Sequence, residues 1–329
     1  MFVILGAKIR FMSKPLISYV LPVYNEDKCI ERFLTSLQKT LQPLEKKYAF
    51  ELICINDGSQ DGSLEILTRL AQKHDEIVVL DLSRNYGHQV AVTAGIDYST
   101  GQAVIIMDTD LQDPPAVSVE LIQTWEKGFD VVYAQRASRK DSAFKKLTAS
   151  IYYRTLDLLS EIKIPRDTGD FRLMDAKVVT ELRKFREHNR YIRGLVSYVG
   201  FKQTAVLFER DKRYGGTTGY PLGKMIRFAM DGVTGFSTVP LQLISQLGFL
   251  VSGMSFLGAL YALIIRLQYT EAAVPGWAFI TIAIFFIGGI QMITLGVIGS
   301  YVGRIYKEVQ NRPLYSIADT INDKKLSDR

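Results

Sequence analysis

Asp108-Thr109-Asp110-Leu111-Gln112-Asp113 follows directly on the apolar run Ala103-Val104-Ile105-Ile106-Met107. A short apolar run of this kind reads as a buried β-strand, and carboxylates spaced i, i+2 at its end reach one edge of a sheet together. Two anionic oxygens there suit a hard divalent cation, and such a cation suits a diphosphate.

Working outward, apolar runs alternate with helical patterns. Strands are expected at 17–23, 52–56, 77–82, 104–108 and 131–135, with helices at 29–41, 63–74, 89–98 and 117–127. This βαβα rhythm predicts an α/β fold, a Rossmann-like, mostly parallel sheet with helices on both faces. Ligands of such sheets sit at the carboxyl ends of the strands. The clusters Asn25-Glu26-Asp27, Asn56-Asp57-Gly58-Ser59 and Asp108 to Asp113 all fall there. Gly58 and Gly62 permit tight turns beside a ligand, and Asp61 or Ser63 is expected to cap the next helix.

The rhythm stops after Arg136. Residues 144–162 read as a helix that packs on the core or lies at lipid headgroups, and 221–237 poses the same choice with Lys224 and Arg227 among apolar neighbours. Residues 243–265 and 277–301 carry no charge over lengths that exceed the roughly 20 residues needed to cross a bilayer. Glycines at 248, 253, 258, 288, 289, 296 and 299 would let the two spans approach closely. Lys224 and Arg227 precede the first; Arg304, Lys307 and Arg312 follow the second. The positive-inside rule therefore puts both flanks, with the catalytic domain, in the cytoplasm, Arg266 of the connecting loop being a mild exception. The organisation expected is an N-terminal extension at 1–15, a catalytic domain at 16–220, an amphipathic juxtamembrane helix at 221–240, two transmembrane helices at 241–303 and a cytoplasmic tail at 304–329. Residues 319–329 read as a frayed, charged end. The first ten residues are too short a run to span a bilayer and make a poor signal peptide; Met12 is an alternative start.

The chain has 329 residues, 47% of them hydrophobic, with a net charge of +6. A basic balance fits nucleic acid, an anionic membrane or a phosphorylated substrate. No zinc-finger spacing or dense Arg/Lys tract supports nucleic acid. Cys29 and Cys54 are the only cysteines and form no CxxC, in keeping with a reducing compartment. No two of His74, His88 and His188 have metal-ligand spacing; His88 reads as a loop residue just before a helix, within reach of a donor.

The ordered set resembles the family-2 glycosyltransferases of the GT-A fold. It is closest in kind to the polyprenyl-phosphate hexose transferases: dolichol-phosphate mannosyltransferase and the bacterial bactoprenol (undecaprenyl-phosphate) glucosyltransferases. The stretches that carry the likeness are Val20 to Glu26, Ile55 to Ser63, Ser83-Arg84-Asn85-Tyr86-Gly87-His88, Met107 to Pro114, and Thr168-Gly169-Asp170-Phe171-Arg172-Leu173-Met174-Asp175. The last is particularly specific to the lipid-phosphate branch, and the two-span tail is like the bacterial members.

The resemblance implies roles. Pro22, Tyr24, Glu26 and Asp57 would line the nucleotide pocket. Asp108 and Asp110 would bracket Mg2+ or Mn2+ on the donor diphosphate, with Gln112 nearby. Arg136, Arg172, Arg210 and Arg213 are the candidates for phosphate contacts, each weighed against a surface ion pair. Asp108, Asp110, Asp170 and Arg172 are the catalytic candidates. One departure stands out: relatives often carry a lysine where this chain has Gly219, so if that lysine grips a phosphate, either Lys212 or Lys224 substitutes or the contact is absent. The implied reaction is an inverting transfer of a hexose, glucose from UDP-glucose first, to undecaprenyl phosphate at the cytoplasmic leaflet of a bacterial inner (plasma) membrane. A phosphomonoester has a second pKa of about 6 and is largely ionised at neutral pH. A general base is then not required, and Asp170 could equally position a sugar hydroxyl or a basic side chain. GDP-mannose or a UDP-aminopentose are alternative donors. A processive polysaccharide synthase would carry Gln-x-x-Arg-Trp, and neither Trp125 nor Trp277 follows an arginine. A sugar nucleotidyltransferase would want a Gly-rich basic loop near the first strand. A non-catalytic membrane scaffold would not need the paired aspartates. By analogy, homo-oligomers, a flippase and a downstream transferase are the expected protein partners.

Overall fold

The computed structural model describes residues 14–137, 168–209 and 277–322, with scattered positions between 241 and 261. In chain order its elements are β1 (Leu16–Val23), α1 (Ile30–Leu41), β2 (Ala49–Asn56), α2 (Ser63–Ala71), β3 (Ile77–Leu82), α3 (His88–Tyr98), β4 (Ala103–Ile106), α4 (Pro115–Trp125) and β5 (Val131–Arg136). After the break come β6 (Thr168–Asp175), α5 (Ala176–Leu182), α6 (Ile192–Val199), β7 (Gln203–Phe208), α7 (Trp277–Gln310) and β8 (Ile317–Ile321).

The strands form one sheet in the order β7-β5-β6-β4-β1-β2-β3-β8. β4, β1, β2 and β3 run parallel, as the alternating pattern predicts. Two strands are the exceptions within a sheet that is mostly parallel, as expected. β6 enters antiparallel between β4 and β5, and β8 adds antiparallel to the β3 edge. The Thr168 to Asp175 run reads as a motif in the sequence; as a strand it faces two ways. Phe171 and Leu173 join the apolar cluster with α1 and α4, while Asp170 reaches residues of α3 and α6. The expected frayed end is likewise corrected at its start, because residues 317–321 are paired with β3.

Both sheet faces are covered. Ile17, Tyr19, Leu21 and Val23 of β1 pack with Phe33, Leu37, Leu67 and Leu121 on one side. On the other, α3 comes so close that a Cβ at Gly95 would lie 2.4 Å from Val20 Cγ1 and 2.7 Å from Ile55 Cδ1. Arg183, at the end of α5, donates to the Ile96 and Ser99 carbonyls at the end of α3, so α5 sits on this second face.

β8 and the loop before it belong to the same compact unit as the sheet; α7 belongs to a second unit. α7 is 34 residues long and continues nine residues past the expected span end at 301. Its stretch Phe286–Gln310 is long and apolar enough to cross a membrane, and none of it is buried in protein. Exposed Phe286, Met292, Ile293, Leu295 and Ile305 would be costly to leave in water. Among the described residues this is the one helix that meets that length and hydropathy. The expected first span falls largely outside them; of its described positions, all helical, Phe249, Leu250, Met254 and Leu257 are exposed. The expected helices at 144–162 and 221–237 lie outside the described residues.

Candidate active site

Three loops meet at the carboxyl ends of β1, β2 and β4. The loop after β1 is stitched to the loop after β2 by backbone-to-side-chain bonds. Asn25 N donates to Ser59 Oγ (3.1 Å), Glu26 N to Ser63 Oγ (2.9 Å) and Asp27 N to Asp61 Oδ2 (3.1 Å). Asn25 returns the favour by accepting from Gln60 N, and adopts φ 55°, a left-handed conformation that asparagine tolerates. Asp61 Oδ1 accepts the Ser63 N–H, satisfying an orphan donor in the first turn of α2 as expected. This leaves Tyr24 45% exposed at the edge, with Pro22 beneath it in β1 and Glu26 partly buried beside it.

Asp57 is buried, and its carboxylate has a local task. It accepts Tyr86 N at 2.7 Å and Gly87 N at 2.9 Å, while its own carbonyl takes Asn85 Nδ2. Burial pushes the carboxyl up, against the pull of those backbone N–H groups. Asp57 therefore holds the loop from Ser83 to Gly87 against the β2 edge. Gly58 makes the close approach possible: its φ is +64°, and a Cβ there would fall 2.5 Å from Asn85 N.

The acidic loop is pinned by Thr109, whose hydroxyl donates to the Pro22 carbonyl at 3.0 Å. β4 ends at Ile106 rather than at residue 108, so both aspartates project from the loop and not from the strand. Asp110 Oδ1 accepts Gln112 N, and Leu111 between them sits at φ 61°. A γ-branched residue in that region is strained, and such strain collects at functional sites. Asp108 is about a third exposed and Asp113 is buried. Among the described residues no three His, Cys, Asp or Glu side chains form a closed cage for a metal. The all-oxygen pair Asp108 and Asp110 nonetheless has the donor chemistry of a hard cation that takes its remaining ligands from phosphate and water.

Beside this corner lies a cluster that the sequence does not announce. The β4–β6 ladder ends with Ile106 paired to Arg172, and Asp108 follows two residues beyond it on the side of Asp170. His88, the first residue of α3, lies between them, its Nε2 3.0 Å from Asp170 Oδ2 and 3.7 Å from Asp108 Oδ1. Arg193 of α6 donates its Nε–H to Asp170 Oδ1 at 2.8 Å. Gln89 donates to Asp170 Oδ2 and accepts the Ile192 N–H, tying α3 to the start of α6. Burial alone would push the Asp170 carboxyl up, but His88 and Arg193 outweigh it and hold it well below the usual carboxylate range. The same contacts raise His88 and Arg193 against the lowering effect of burial. Arg172, on the same strand face as Asp170, is pushed down to about 10 by burial, with Asp170 countering. Its Nη2 donates to the Gly169 carbonyl, while its Nε is buried without a hydrogen-bond partner.

Of the residues singled out from sequence, Asp108, Asp170 and Arg172 share one neighbourhood, with Asp110 and Gln112 on the adjoining loop. Pro22, Tyr24, Glu26 and Asp57 line the neighbouring edge. Arg136 is the last residue of β5, opposite Phe208 of β7. Arg210 and Arg213 lie outside the described residues. The sequence alone reads His88 as a loop residue beside a donor and gives Gln89 and Arg193 no role. The run from Asn85 to His88 is a legible signal for the first two; nothing local marks Arg193.

Two interlocked loops, an acidic corner and a cationic cluster lie in that order along one edge of a mostly parallel sheet, an arrangement that an α/β sugar transferase can use. Residues 18–183 match the model described as Glycosyl transferase family 2, and the chain belongs to that family. Its fold is GT-A-like. The uncharacterized glycosyltransferase YkcC of Bacillus subtilis (strain 168) is 46% identical over 312 residues, 94% of this chain and 96% of that protein. The uncharacterized glycosyltransferase sll0501 of Synechocystis sp. is 44% identical over 304 residues, 92% and 95% of the two chains. The SfII prophage-derived bactoprenol glucosyl transferase of Shigella flexneri is 39% identical over 302 residues, 92% and 97% of the two chains.

Proposed function

We propose that this glycosyltransferase moves a hexose, glucose from UDP-glucose in the first instance, onto undecaprenyl phosphate at the cytoplasmic leaflet of a bacterial inner membrane. The observation that carries the reading is the Asp108–His88–Asp170 juxtaposition beside the nucleotide-facing loops. It puts an acidic corner fit for a donor diphosphate next to fixed cationic groups fit for a second anion. The similarity to a bactoprenol glucosyl transferase over nearly the whole chain supports both donor and acceptor. The apolar α7 supports the lipid, because a long isoprenoid tail leaves the bilayer only at great cost.

In this reading Tyr24, Glu26 and the loop held by Asp57 receive the nucleotide, and Pro22 backs them. Asp108 and Asp110, with Gln112 beside them, would hold Mg2+ or Mn2+, which supplies charge neutralisation to a departing diphosphate. The phosphate oxygen of the acceptor forms a bond to the anomeric carbon as the bond from that carbon to the β-phosphate oxygen of the donor breaks. The electron pair leaves with the nucleoside diphosphate, no proton moves, and the anomeric centre inverts. Two anions must be brought together for this, and the chain's own means is electrostatic preorganisation by fixed cationic side chains. Arg172 belongs to that set; Arg136, Arg210 and Arg213 extend it as proposed phosphate contacts. The two-span anchor, the cytoplasmic domain, self-association, and a flippase and second transferase acting on the product complete the picture.

The test is to incubate the purified full chain with undecaprenyl phosphate and labelled UDP-glucose, GDP-mannose and a UDP-aminopentose, each with and without EDTA. Labelled lipid with UDP-glucose, lost on chelation, is expected. Label in a polymer, or none in lipid with any donor, would overturn the reading.

A further inference from the structure

The proton-acceptor role open to Asp170 conflicts with its surroundings. The residue is 4% exposed. Its Oδ1 takes the Arg193 Nε–H at 2.8 Å; its Oδ2 meets His88 Nε2 at 3.0 Å, Gln89 Nε2 at 3.0 Å and Arg193 Nη2 at 3.4 Å. A carboxylate offers about four lone-pair sites, and on this buried one three contacts crowd Oδ2 while the Arg193 Nε–H holds Oδ1. A general base needs an open lone pair within reach of the proton it removes.

The charge count points to what the cluster holds instead. Arg172 and Arg193 bring two fixed guanidinium charges against the single charge of Asp170. The counter-charge for the second must come from Asp108, itself about a third exposed, or from a bound anion. An uncompensated buried cation is costly, and Arg172 Nε already lacks a hydrogen-bond partner. Arg193 is the more accessible of the two: its side chain is 30% exposed, and Asp170 occupies Nε and one amino group, leaving the outer edge of the fork open. Guanidinium forks match phosphate oxygens in geometry and charge.

Sheet order says which phosphate. The nucleotide-facing loops end β1 and β2, the acidic corner follows β4, and Asp170 lies on β6 beyond it. From β2 to β6 is three strand spacings of about 4.8 Å, roughly 14 Å in all. A donor laid along that edge with its diphosphate at Asp108 has its base toward β2, so an anion at Arg193 sits on the opposite side of the sugar.

We propose that Asp170 is a positioning residue and that Arg193, fixed by it and by the Gln89 tie to α6, seats the phosphomonoester of the acceptor. The inference rests on the acceptor class proposed above and adds the residue that recognises it.

The test uses the full chain in detergent, with KM measured separately for undecaprenyl phosphate and for the nucleotide sugar. Arg193→Gln should raise the acceptor KM at least about ten-fold, the loss of one charge-assisted hydrogen bond, and leave the nucleotide-sugar KM within about two-fold. Arg193→Lys should recover part of the loss. Asp170→Asn should show the same split, the double variant should be no worse than the worse single one, and formate or azide should not restore turnover. UDP binding reports folding in each variant, and if Asp170→Asn fails it, the two Arg193 variants decide the matter. An unchanged acceptor KM in Arg193→Gln, a shift confined to the nucleotide sugar, or rescue of Asp170→Asn by formate overturns the proposal. A separate binding arm compares farnesyl phosphate with farnesol. If the wild type transfers sugar to no lipid phosphate, the proposed function falls, yet this arm still reads the seat. Tighter binding of farnesyl phosphate that Arg193→Gln abolishes supports it; equal binding of the two lipids by wild type, or of farnesyl phosphate by wild type and variant, overturns it.

Discussion

Tyr315 donates its hydroxyl to the Asp97 carboxylate at 2.9 Å, joining residues 218 apart in sequence. Arg186 reaches the same carboxylate, and Asn322 closes the return by donating to the carbonyls of Ala71 at the end of α2, His74 in the loop after it and Ile77 at the start of β3. Between these contacts β8 pairs with β3, and Ser316 O accepts the Ser83 N–H at the root of the loop that Asp57 holds. The segment after α7 is thus part of the catalytic sheet. A chain stopped after Arg312 should unfold at a temperature lower by several degrees and bind UDP more weakly, since the β3 edge and the 83–87 loop lose their outer support. Thermal unfolding and nucleotide titration of the shortened chain check this; unchanged values would make β8 a passive addition. Tyr315→Phe alone should cost about 1.5–3 kcal/mol, the range for a hydrogen bond to a charged group.

Gly58 governs a second close contact. Alanine there would hold φ at +64° against its preference and press its Cβ to within 2.5 Å of Asn85 N and 2.6 Å of Arg84 C, both backbone atoms. The 83–87 loop must then move away from Asp57. Gly58→Ala should destabilise by about 1–3 kcal/mol and raise the nucleotide-sugar KM, while the acceptor KM stays near the wild-type value. Calorimetry and steady-state kinetics on the variant read both effects.

How far the sequence carried the fold follows from where its signals live. Strands β1 to β5 and helices α1 to α4 were legible because each buries a continuous apolar run or stripe, as in Ile77 to Leu82, which matches β3 end to end. β6 was not legible as a strand: Asp170 and Arg172 alternate with Phe171 and Leu173, and a charged face turned toward buried partners looks like a polar motif. β8 was missed because Asp319 and the charged tail beyond it mask a five-residue edge strand whose partner lies far back in the chain. At the site, Asp108 and Asp110 declare themselves by spacing. His88 and Arg193 do not, since their roles come from the β4–β6 register and from a helix contact that no local pattern encodes.

The depressed Asp170 pKa makes stability depend on pH in a definite direction. Its folded value lies below the unfolded carboxylate value of about 3.9. The contribution is therefore fully present above about pH 4 and is lost progressively as pH falls below that toward the folded value. Asp170→Asn removes this dependence but leaves Arg193 and His88 without their counter-charge, at a cost of about 3–5 kcal/mol at neutral pH. Unfolding followed at pH 7 and pH 3 should show the gap between wild type and variant narrowing by about 1 kcal/mol at the lower pH. A constant gap between the two proteins would contradict the assignment of the shift to this residue.

Asp110→Asn isolates the acidic corner. The amide oxygen can still accept the Gln112 N–H that Asp110 Oδ1 takes at 3.1 Å, so the loop and its left-handed Leu111 should persist and the unfolding temperature should stay within a degree or two. The charge is what disappears. If a divalent cation held there neutralises the departing diphosphate, turnover should drop by about a hundred-fold or more, and the concentration of Mn2+ giving half-maximal rate should rise with it. Activity assayed across a manganese series, in wild type and variant, separates the two contributions. A variant that turns over at the wild-type rate, with the same metal dependence, would remove Asp110 from the cation site and leave Asp108 to hold it with substrate oxygens alone.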